Sequence, residues 1–334
     1  LGVEIGGGMA TSYNHRVRMY EDDMPSLHLV RLGNGCNLLG YYMYHGGSNP
    51  HSLVDRSDCP ESTLQESSFE PAGSNNPMNS ISYDFFAPLS EFGVPRRHYH
   101  SMRRLHLFLR DFGGSHMAHT SYRSPRESNS SLRWGVRLYF CSFCSLTHTH
   151  THTNKQKKHQ QVRSKGGSGF LFVNNHERLV TMPNISNVRF DLVFENTTTL
   201  QIPSNRSNAL VVSSGTWFVW PFRFKYSNVQ IGWATAQILC SVQIEKNKSV
   251  LILVASSNVD VEIAIDSSES ITIHGSTATS SLESPWTVVR NIVPSTSSQI
   301  TVSTKLDIVV LPHDLADRVW KGTFLGKDRV FISD

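Results

Sequence analysis

The sequence has 334 residues, of which 39% are hydrophobic and 10% aromatic, a composition typical of a globular protein large enough for two domains. No apolar run approaches the roughly 18 to 20 residues that a membrane-spanning helix needs. The formal net charge is +4. The basic, acid-free segment 138–163 accounts for this excess, so the rest of the chain is balanced and gives no indication of nucleic-acid binding.

Residues 1–115 are predicted to contain βα units of an α/β fold, in the order strand, helix, strand, long polar loop and helix. A strand ends at Ile5, and the helix that follows is capped by Asp22 or Asp23 and stopped by Gly33. These signals are local, because they depend on capping oxygens and on the freedom of glycine to leave the helical conformation.

The second strand, 37–45, is almost wholly apolar and aromatic, as parallel strands buried on both faces are. Alternation along this strand places Tyr42 and Tyr44 on the same side. The second helix is predicted over 95–112. Its solvent-exposed face is predicted to consist of arginines, namely Arg96, Arg97, Arg103 and Arg104.

Residues 116–334 are predicted to form one or more antiparallel β-sandwich domains, because short alternating runs recur between clusters of Ser, Thr, Asn and Gly. The runs are 170–173, 188–194, 210–212, 217–224, 229–242, 250–255, 259–265, 271–273, 300–304 and 308–311. Three tryptophans within these runs are predicted to be buried core residues rather than sugar-stacking platforms: Trp217, Trp220 and Trp233.

Segment 138–163 departs from this pattern. Its alternating Thr and His residues are typical of a translated CACACA repeat, and its removal would leave a strand followed by a turn. We interpret the segment as a retained intron and expect it to be disordered. An alternative is a zinc site formed by Cys141, Cys144 and the histidines, but no second ligand pair stands at a recognised spacing. A zinc- or nucleic-acid-binding function would depend wholly on this segment.

Three stretches resemble glycoside hydrolase family 35, the β-galactosidases: EIGGGM (4–9), YYMYHGGSNP (41–50) and SYDFFAPLSEFG (82–93). Others are similar to a microbial-type branch of that family: RRHYHSMRRLHLFLRDFG (96–113), GFLFVNN (169–175), GTWFVWPFRF (215–224), ATAQ (234–237) and IVVLPHDLADRVWKGTF (308–324). The resemblance covers nearly the whole chain except 138–163.

The resemblance implies a (β/α)8 TIM barrel, of which residues 1–115 would hold strands seven and eight with their helices, followed by β domains. It implies hydrolysis of terminal β-galactosides with retention of configuration by a nucleophile and an acid/base, with no metal or organic cofactor. By matching position Glu4 is the nucleophile, and Tyr42 is expected to hydrogen-bond to it and to the sugar. Phe85 stands where other branches carry a substrate-touching tyrosine. The expected rim residues are Tyr83, Tyr44, His45 and Asn49.

The family places the acid/base in an Asn-Glu pair, and no Asn-Glu dipeptide occurs in the sequence. The chain also starts at Leu1 without a signal sequence. We therefore expect a C-terminal fragment that carries the nucleophile and is inactive alone. Its expected partner is a β-galactoside oligosaccharide or polysaccharide, with no nucleic acid.

Five Asn-X-Ser/Thr sequons are compatible with the secreted, lysosomal or vacuolar location that the resemblance implies. The alternative function is a non-catalytic carbohydrate-binding or structural β-domain protein, whose activity would not depend on Glu4.

Overall fold

The structure, a computed structural model, describes residues 2–11, 17–49, 82–114, 120–123, 132–139, 143–148, 163–164, 167–194 and 198–333. The chain divides into two compact units. Unit 1 comprises Leu1–His28 and Cys36–Met102, and unit 2 comprises Leu29–Gly35 and Arg103–Asp334. Strands make up far more of the described residues than helices do. No helix in the described ranges has the length and apolar character needed to cross a membrane.

The elements up to residue 108 include a parallel β-α-β arrangement. They are β1 (Gly2–Gly6), α1 (Asp23–Gly33), β2 (Leu39–Tyr42), β3 (Gly47–Ser48), β4 (Ser82–Tyr83) and α2 (Arg97–Phe108). β1 and β2 pair in parallel, with Ile5 opposite Tyr41, while β3 and β4 pair in antiparallel fashion. The predicted strand–helix–strand order is therefore present as two parallel strands joined through a helix.

Helix α1 begins and ends where its local signals predict. The Asp23 carboxylate accepts the Tyr20 backbone N–H at 2.8 Å, which fixes the chain entering the helix. The helix ends at Gly33, and Gly35 follows with a φ of +90°. The N–H of Gly35 donates to the Leu32 carbonyl at 3.0 Å and so closes the helix end.

The core of unit 1 is small and rich in methionine and tyrosine. Val17, Met19, Met24 and Met102 are buried together, and partly buried aromatic rings pack against them: Tyr41, Tyr44 and Phe86. The unbranched methionine side chains fill the irregular space between the helices and the rings.

Helix α2 continues into a π-helical turn at Leu109–Gly113, and two of its arginines contradict the predicted exposed face. Arg103 and Arg104 are buried within unit 2. The Arg103 guanidinium lies 3.5 Å from the centroid of the Trp320 ring, and Arg104 Nη1 lies 3.4 Å from the Asp317 carboxylate. A guanidinium is weakly hydrated and stacks on aromatic faces, so these cations are accommodated where helical periodicity predicts solvent.

The remaining elements lie in unit 2. They are β5 (Thr120–Arg123), β6 (Arg133–Tyr139), β7 (Phe143–His148), β8 (Arg163–Ser164), β9 (Ser168–Asn174), β10 (Ile185–Val188), β11 (Phe190–Val193), β12 (Thr199–Ile202), β13 (Leu210–Val212), β14 (Trp217–Tyr226), β15 (Val229–Ala234), β16 (Ala236–Glu245), β17 (Lys248–Ala255), β18 (Ile263–Asp266), β19 (Ile271–His274), β20 (Thr279–Glu283), β21 (Trp286–Arg290), β22 (Gln299–Val302), β23 (Leu306–Leu311), α3 (His313–Ala316), β24 (Val319–Phe324) and β25 (Lys327–Ile332).

These strands form several sheets. An eight-stranded sheet has the order β20-β21-β18-β15-β14-β9-β6-β5, a five-stranded sheet has the order β16-β17-β23-β22-β19, and a four-stranded sheet has the order β12-β11-β7-β8. The pairs β10–β13 and β24–β25 complete the described set. The runs predicted from alternation, from 170–173 to 308–311, all contribute residues to these strands.

The main core of unit 2 joins side chains of the eight-stranded and four-stranded sheets. Phe190 and Leu192 of β11 are buried in one cluster with Trp220 and Phe222 of β14. The Phe190 and Trp220 rings meet edge to face with their centroids 6.4 Å apart. Two sheets that share an apolar core are compatible with the predicted β-sandwich. The tryptophans predicted to be core residues are buried: Trp217, Trp220 and Trp233.

The prediction of purely antiparallel strands is wrong for one pair. β17 and β23 run parallel, with Leu251 opposite Ile308 and Leu253 opposite Val310. Parallel neighbours need a long crossover connection, and the segment from β17 to β23 is long enough to supply one. Seven strands of unit 2 outside the segment 138–163 lie beyond the predicted runs, namely β5, β6, β12, β20, β21, β24 and β25. Several of them, such as Thr279–Glu283 and Val319–Phe324, mix polar and apolar residues without clear alternation.

The predicted insert 138–163 is described only in part. Phe143–His148 form β7, which pairs with β11 through its backbone, with Leu146 opposite Leu192. An open strand edge can recruit any extended backbone, since the ladder bonds do not depend on side-chain identity. Residues 140–142 and 149–162 lie outside the described residues, as do Cys141 and the two histidines that follow His148 in the repeat.

Candidate active site

Glu4 lies on β1 and is exposed. Its neighbour Ile5 is buried, as the alternation of side chains along a strand requires. The pairing with β2 contains a register shift between Gly2 and Ile5, so that β1 carries an extra residue around Glu4. Bulges of this kind bend a strand and redirect a side chain, and they are common beside active sites.

Tyr42, Tyr83 and Phe85 form one aromatic group in unit 1. The hydroxyl oxygens of Tyr42 and Tyr83 lie 2.8 Å apart and share a hydrogen bond. The Phe85 ring centroid lies 5.2 Å from that of Tyr42 and 5.8 Å from that of Tyr83. Tyr42 is 37% exposed, so the group is accessible to a ligand from solvent.

The pKa of Tyr83 links this group to Glu4. Burial of the phenol, its hydrogen bond with Tyr42 and the negative charges of Tyr42 and Glu4 raise the pKa of Tyr83 to about 12. Tyr83 therefore stays protonated at neutral pH and can donate a hydrogen bond. Gly6, two residues after Glu4, stands opposite Tyr42 in the β1–β2 pairing, so Glu4 lies on the strand next to the one that carries Tyr42. The structure thus joins three predicted site residues, Tyr42, Tyr83 and Phe85, and Glu4 lies on the adjacent strand.

The glycines after Glu4 allow the chain to pass close to two other segments. A Cβ atom on Gly7 would lie 2.0 Å from the Met43 carbonyl oxygen, and one on Gly8 would lie 2.2 Å from that of Phe85. Both contacts are with backbone atoms, which cannot move aside easily. The glycine run of EIGGGM therefore brings β1, the end of β2 and the Phe85 loop together.

Asp84 fixes the loop that carries Phe85. Its carboxylate accepts the backbone N–H groups of Phe86 at 3.3 Å and Glu91 at 2.7 Å, and it pairs with the Arg96 guanidinium at 2.7 Å. Burial raises the pKa of Asp84, but these hydrogen bonds and the Arg96 charge outweigh it and lower the pKa below its usual value. Phe85 and Phe86 both have φ near +50°, a strained conformation that this network holds.

Glu91 is a site residue that sequence reasoning missed. Its carboxylate accepts the hydroxyl protons of Ser48 and Ser82, which stand on the paired strands β3 and β4. Glu91 thereby ties these strands to the loop after Phe85. The sequence did contain a signal for this role of Glu91. Asp84 and Glu91 are the two acidic residues of the stretch 82–93, and a folded loop needs side-chain acceptors for its own hydrogen-bond donors.

The other predicted rim residues, Tyr44, His45 and Asn49, follow β2 in the chain. The Tyr44 ring packs against Tyr41, with centroids 5.5 Å apart, and joins the core of unit 1. The prediction that Tyr42 and Tyr44 share a side is therefore wrong, because β2 ends at Tyr42 and strand alternation stops there. His45 is exposed and its Nδ1 contacts the Gly46 carbonyl, and Asn49 is buried.

Within the described ranges, no group of three or more His, Cys, Asp or Glu residues is arranged to hold a metal ion. No protein-family model matches the sequence, and no curated protein matches it.

Proposed function

We propose that this chain carries the nucleophile side of a retaining β-galactosidase-like active site. The observation that carries the proposal is the exposed Glu4 on β1, the strand paired with β2, whose Tyr42 belongs to the hydrogen-bonded tyrosine pair packed against the Phe85 ring. An exposed carboxylate, phenolic donors and an apolar ring are the groups needed to attack a sugar, hold its hydroxyls and cover its C–H face.

In this proposal the Glu4 carboxylate attacks the anomeric carbon, and the bond to the leaving oxygen breaks as a glycosyl ester forms. Tyr83, whose pKa of about 12 keeps its proton in place, holds Tyr42 through their shared hydrogen bond. Tyr42 is then positioned to contact the carboxylate or a sugar hydroxyl. Phe85 packs against the sugar ring but has no hydroxyl. One polar contact that a tyrosine makes at this position in other branches of the family is therefore absent.

The same step needs a proton donor for the leaving oxygen, and hydrolysis of the ester then needs a base to activate water. The sequence contains no Asn-Glu pair of the kind that the resemblance assigns to this step. The carboxylate of Glu91 is already bonded to two serine hydroxyls. We therefore expect the chain to form a glycosyl ester only with substrates whose leaving group departs without protonation.

The test is covalent labelling of the full chain with 2-deoxy-2-fluoro-β-galactosyl fluoride, because fluoride leaves without an acid and the fluorine slows hydrolysis of the ester. Peptide mass spectrometry should locate the added sugar on Glu4, and Glu4→Gln should abolish it. Glu21→Gln is the matched control, since Glu21 is another exposed glutamate of unit 1. Lactose should not be hydrolysed. Absence of label, or a label that survives Glu4→Gln, would refute the proposal.

A non-catalytic carbohydrate-binding or structural β protein is the second candidate function. The extent of the sheets in unit 2 favours it, since they form a scaffold that does not involve Glu4. It predicts that the fluorosugar leaves the chain unlabelled.

We also propose a secreted, lysosomal or vacuolar location. Three sequon asparagines that the structure describes are exposed, as glycan attachment requires: Asn184, Asn205 and Asn247. Expression through a eukaryotic secretory pathway should give a glycosidase-sensitive mass increase at these residues, and unmodified secreted protein would count against the proposal.

A further inference from the structure

A polar cavity of about 450 Å³ lies wholly within unit 2. Three connections form it: the loop between β12 and β13, the loop between β17 and β18, and the chain that leaves β21. We propose that this cavity binds a small neutral polyhydroxylated ligand, such as the terminal sugar of a glycan. Its volume falls in the range of roughly 300 to 1,000 Å³ that small-molecule sites occupy.

The floor of the cavity is a buried, fully bonded carboxylate. Glu262 is 3% exposed and accepts hydrogen bonds from the Ser204 backbone N–H at 2.7 Å and from Trp233 Nε1 at 2.6 Å. It also accepts the Ser207 hydroxyl, and Arg290 Nε lies 3.5 Å from it. Because each partner fixes the next, this network holds the cavity in shape before any ligand arrives.

The charges that line the cavity are balanced. Arg206 and Arg290 contribute two positive charges, and Asp260 and Glu262 contribute two negative charges. A charged ligand would add a charge that this balanced lining does not cancel, in a partly enclosed space, which is costly. The lining therefore favours a neutral ligand over an anion or a cation.

Asparagines supply the groups suited to hydroxyls. Asn208 and Asn258 are exposed at the cavity, and their side chains make no hydrogen bond to any residue that the structure describes. Each amide offers both a donor and an acceptor, which matches a hydroxyl that does both. Asn258 and Asn291 have φ of +58° and +55°, the left-handed conformation that asparagine tolerates better than most residues. Val211 is also exposed here and offers an apolar surface to the C–H groups of a sugar.

This inference does not rest on the proposed function, because the cavity and Glu4 belong to different units. The experiment is saturation-transfer NMR on the full chain. The probes are D-galactose, D-glucose, D-mannose and myo-inositol, with glucuronate and glucosamine as charged analogues. We expect at least one neutral probe to bind and the charged analogues to bind more weakly. Binding should persist in Glu4→Gln.

Two variants assign the binding to the cavity. Asn208→Leu should weaken it about ten-fold or more, the effect of losing hydrogen bonds to a buried ligand group. Asn205→Leu is the matched control, since Asn205 is exposed on the same loop but does not line the cavity. Asp260→Asn leaves a net positive cavity and should shift the preference towards glucuronate.

The inference is overturned if no neutral probe binds, if a charged analogue binds the wild-type chain more tightly, or if Glu4→Gln abolishes binding. It is also overturned if Asn208→Leu and Asn205→Leu bind equally well. Thermal unfolding of each variant is measured alongside, and Asn208→Ala, which removes the amide without adding bulk or charge, replaces Asn208→Leu if the latter fails to fold.

Discussion

The ion pair between Lys321 and Asp111 is buried within unit 2, and its removal gives a stability change that can be estimated. Lys321 Nζ lies 2.8 Å from both carboxylate oxygens of Asp111, and the two side chains are 5% and 9% exposed. The same carboxylate accepts the backbone N–H of Ser241 at 2.8 Å. Asp111→Ala therefore leaves a buried ammonium and a buried amide without their main acceptor.

Breaking one partner of a buried pair costs about 3 to 5 kcal/mol. Asp328 remains 3.4 Å from Lys321 in the variant, but it is 38% exposed and its attraction is screened by water. We therefore expect Asp111→Ala to lower the free energy of unfolding by about 3 kcal/mol. Asp328→Ala is the matched control and should be much less destabilising than Asp111→Ala, because the attraction of this exposed carboxylate for Lys321 is screened by water.

The assay is urea unfolding followed by tryptophan fluorescence, on Asp111→Ala, Lys321→Met and the double variant. The double variant should be less destabilised than the sum of the two single variants, because removing Lys321 also removes the uncompensated charge. A loss below about 1 kcal/mol for Asp111→Ala, or strictly additive effects, would refute this account of the pair.

Three further predictions concern unit 1. Tyr42→Phe should lower the pKa of Tyr83 from about 12, but not to the ordinary tyrosine value, because burial of the phenol still raises it. The measurement is a pH titration of phenolate absorbance, in which Tyr83→Phe identifies the contribution of Tyr83. The lowered pKa of Asp84 means that its contribution to stability is complete above the unfolded carboxyl pKa and is lost as pH falls through the folded value. The gap in unfolding free energy between wild type and Asp84→Asn should therefore narrow in acid, and a gap independent of pH would contradict this. Gly8→Ala should destabilise the fold, because its Cβ would lie 2.2 Å from a backbone oxygen. Gly47→Ala is the control and should not, because no atom lies within 4 Å of its Cβ position. Equal melting temperatures for the two variants would contradict this prediction.

The sequence by itself determined the features that depend on neighbours along the chain. The bounds of α1 match the predicted signals, since the helix begins at Asp23 and ends at Gly33. The runs of alternating residues locate strands such as Leu210–Val212, because side-chain direction repeats every two residues.

Only the tertiary structure decided the features that depend on distant residues. Tyr42 and Tyr44 separate because β2 ends between them, and Arg104 is buried because Asp317 and an aromatic ring meet it from far along the chain. The cavity around Glu262 forms from loops that are separate in sequence. Alternation and capping carry no information about which distant segments pack together. The burial and charge at those contacts determine where these side chains lie.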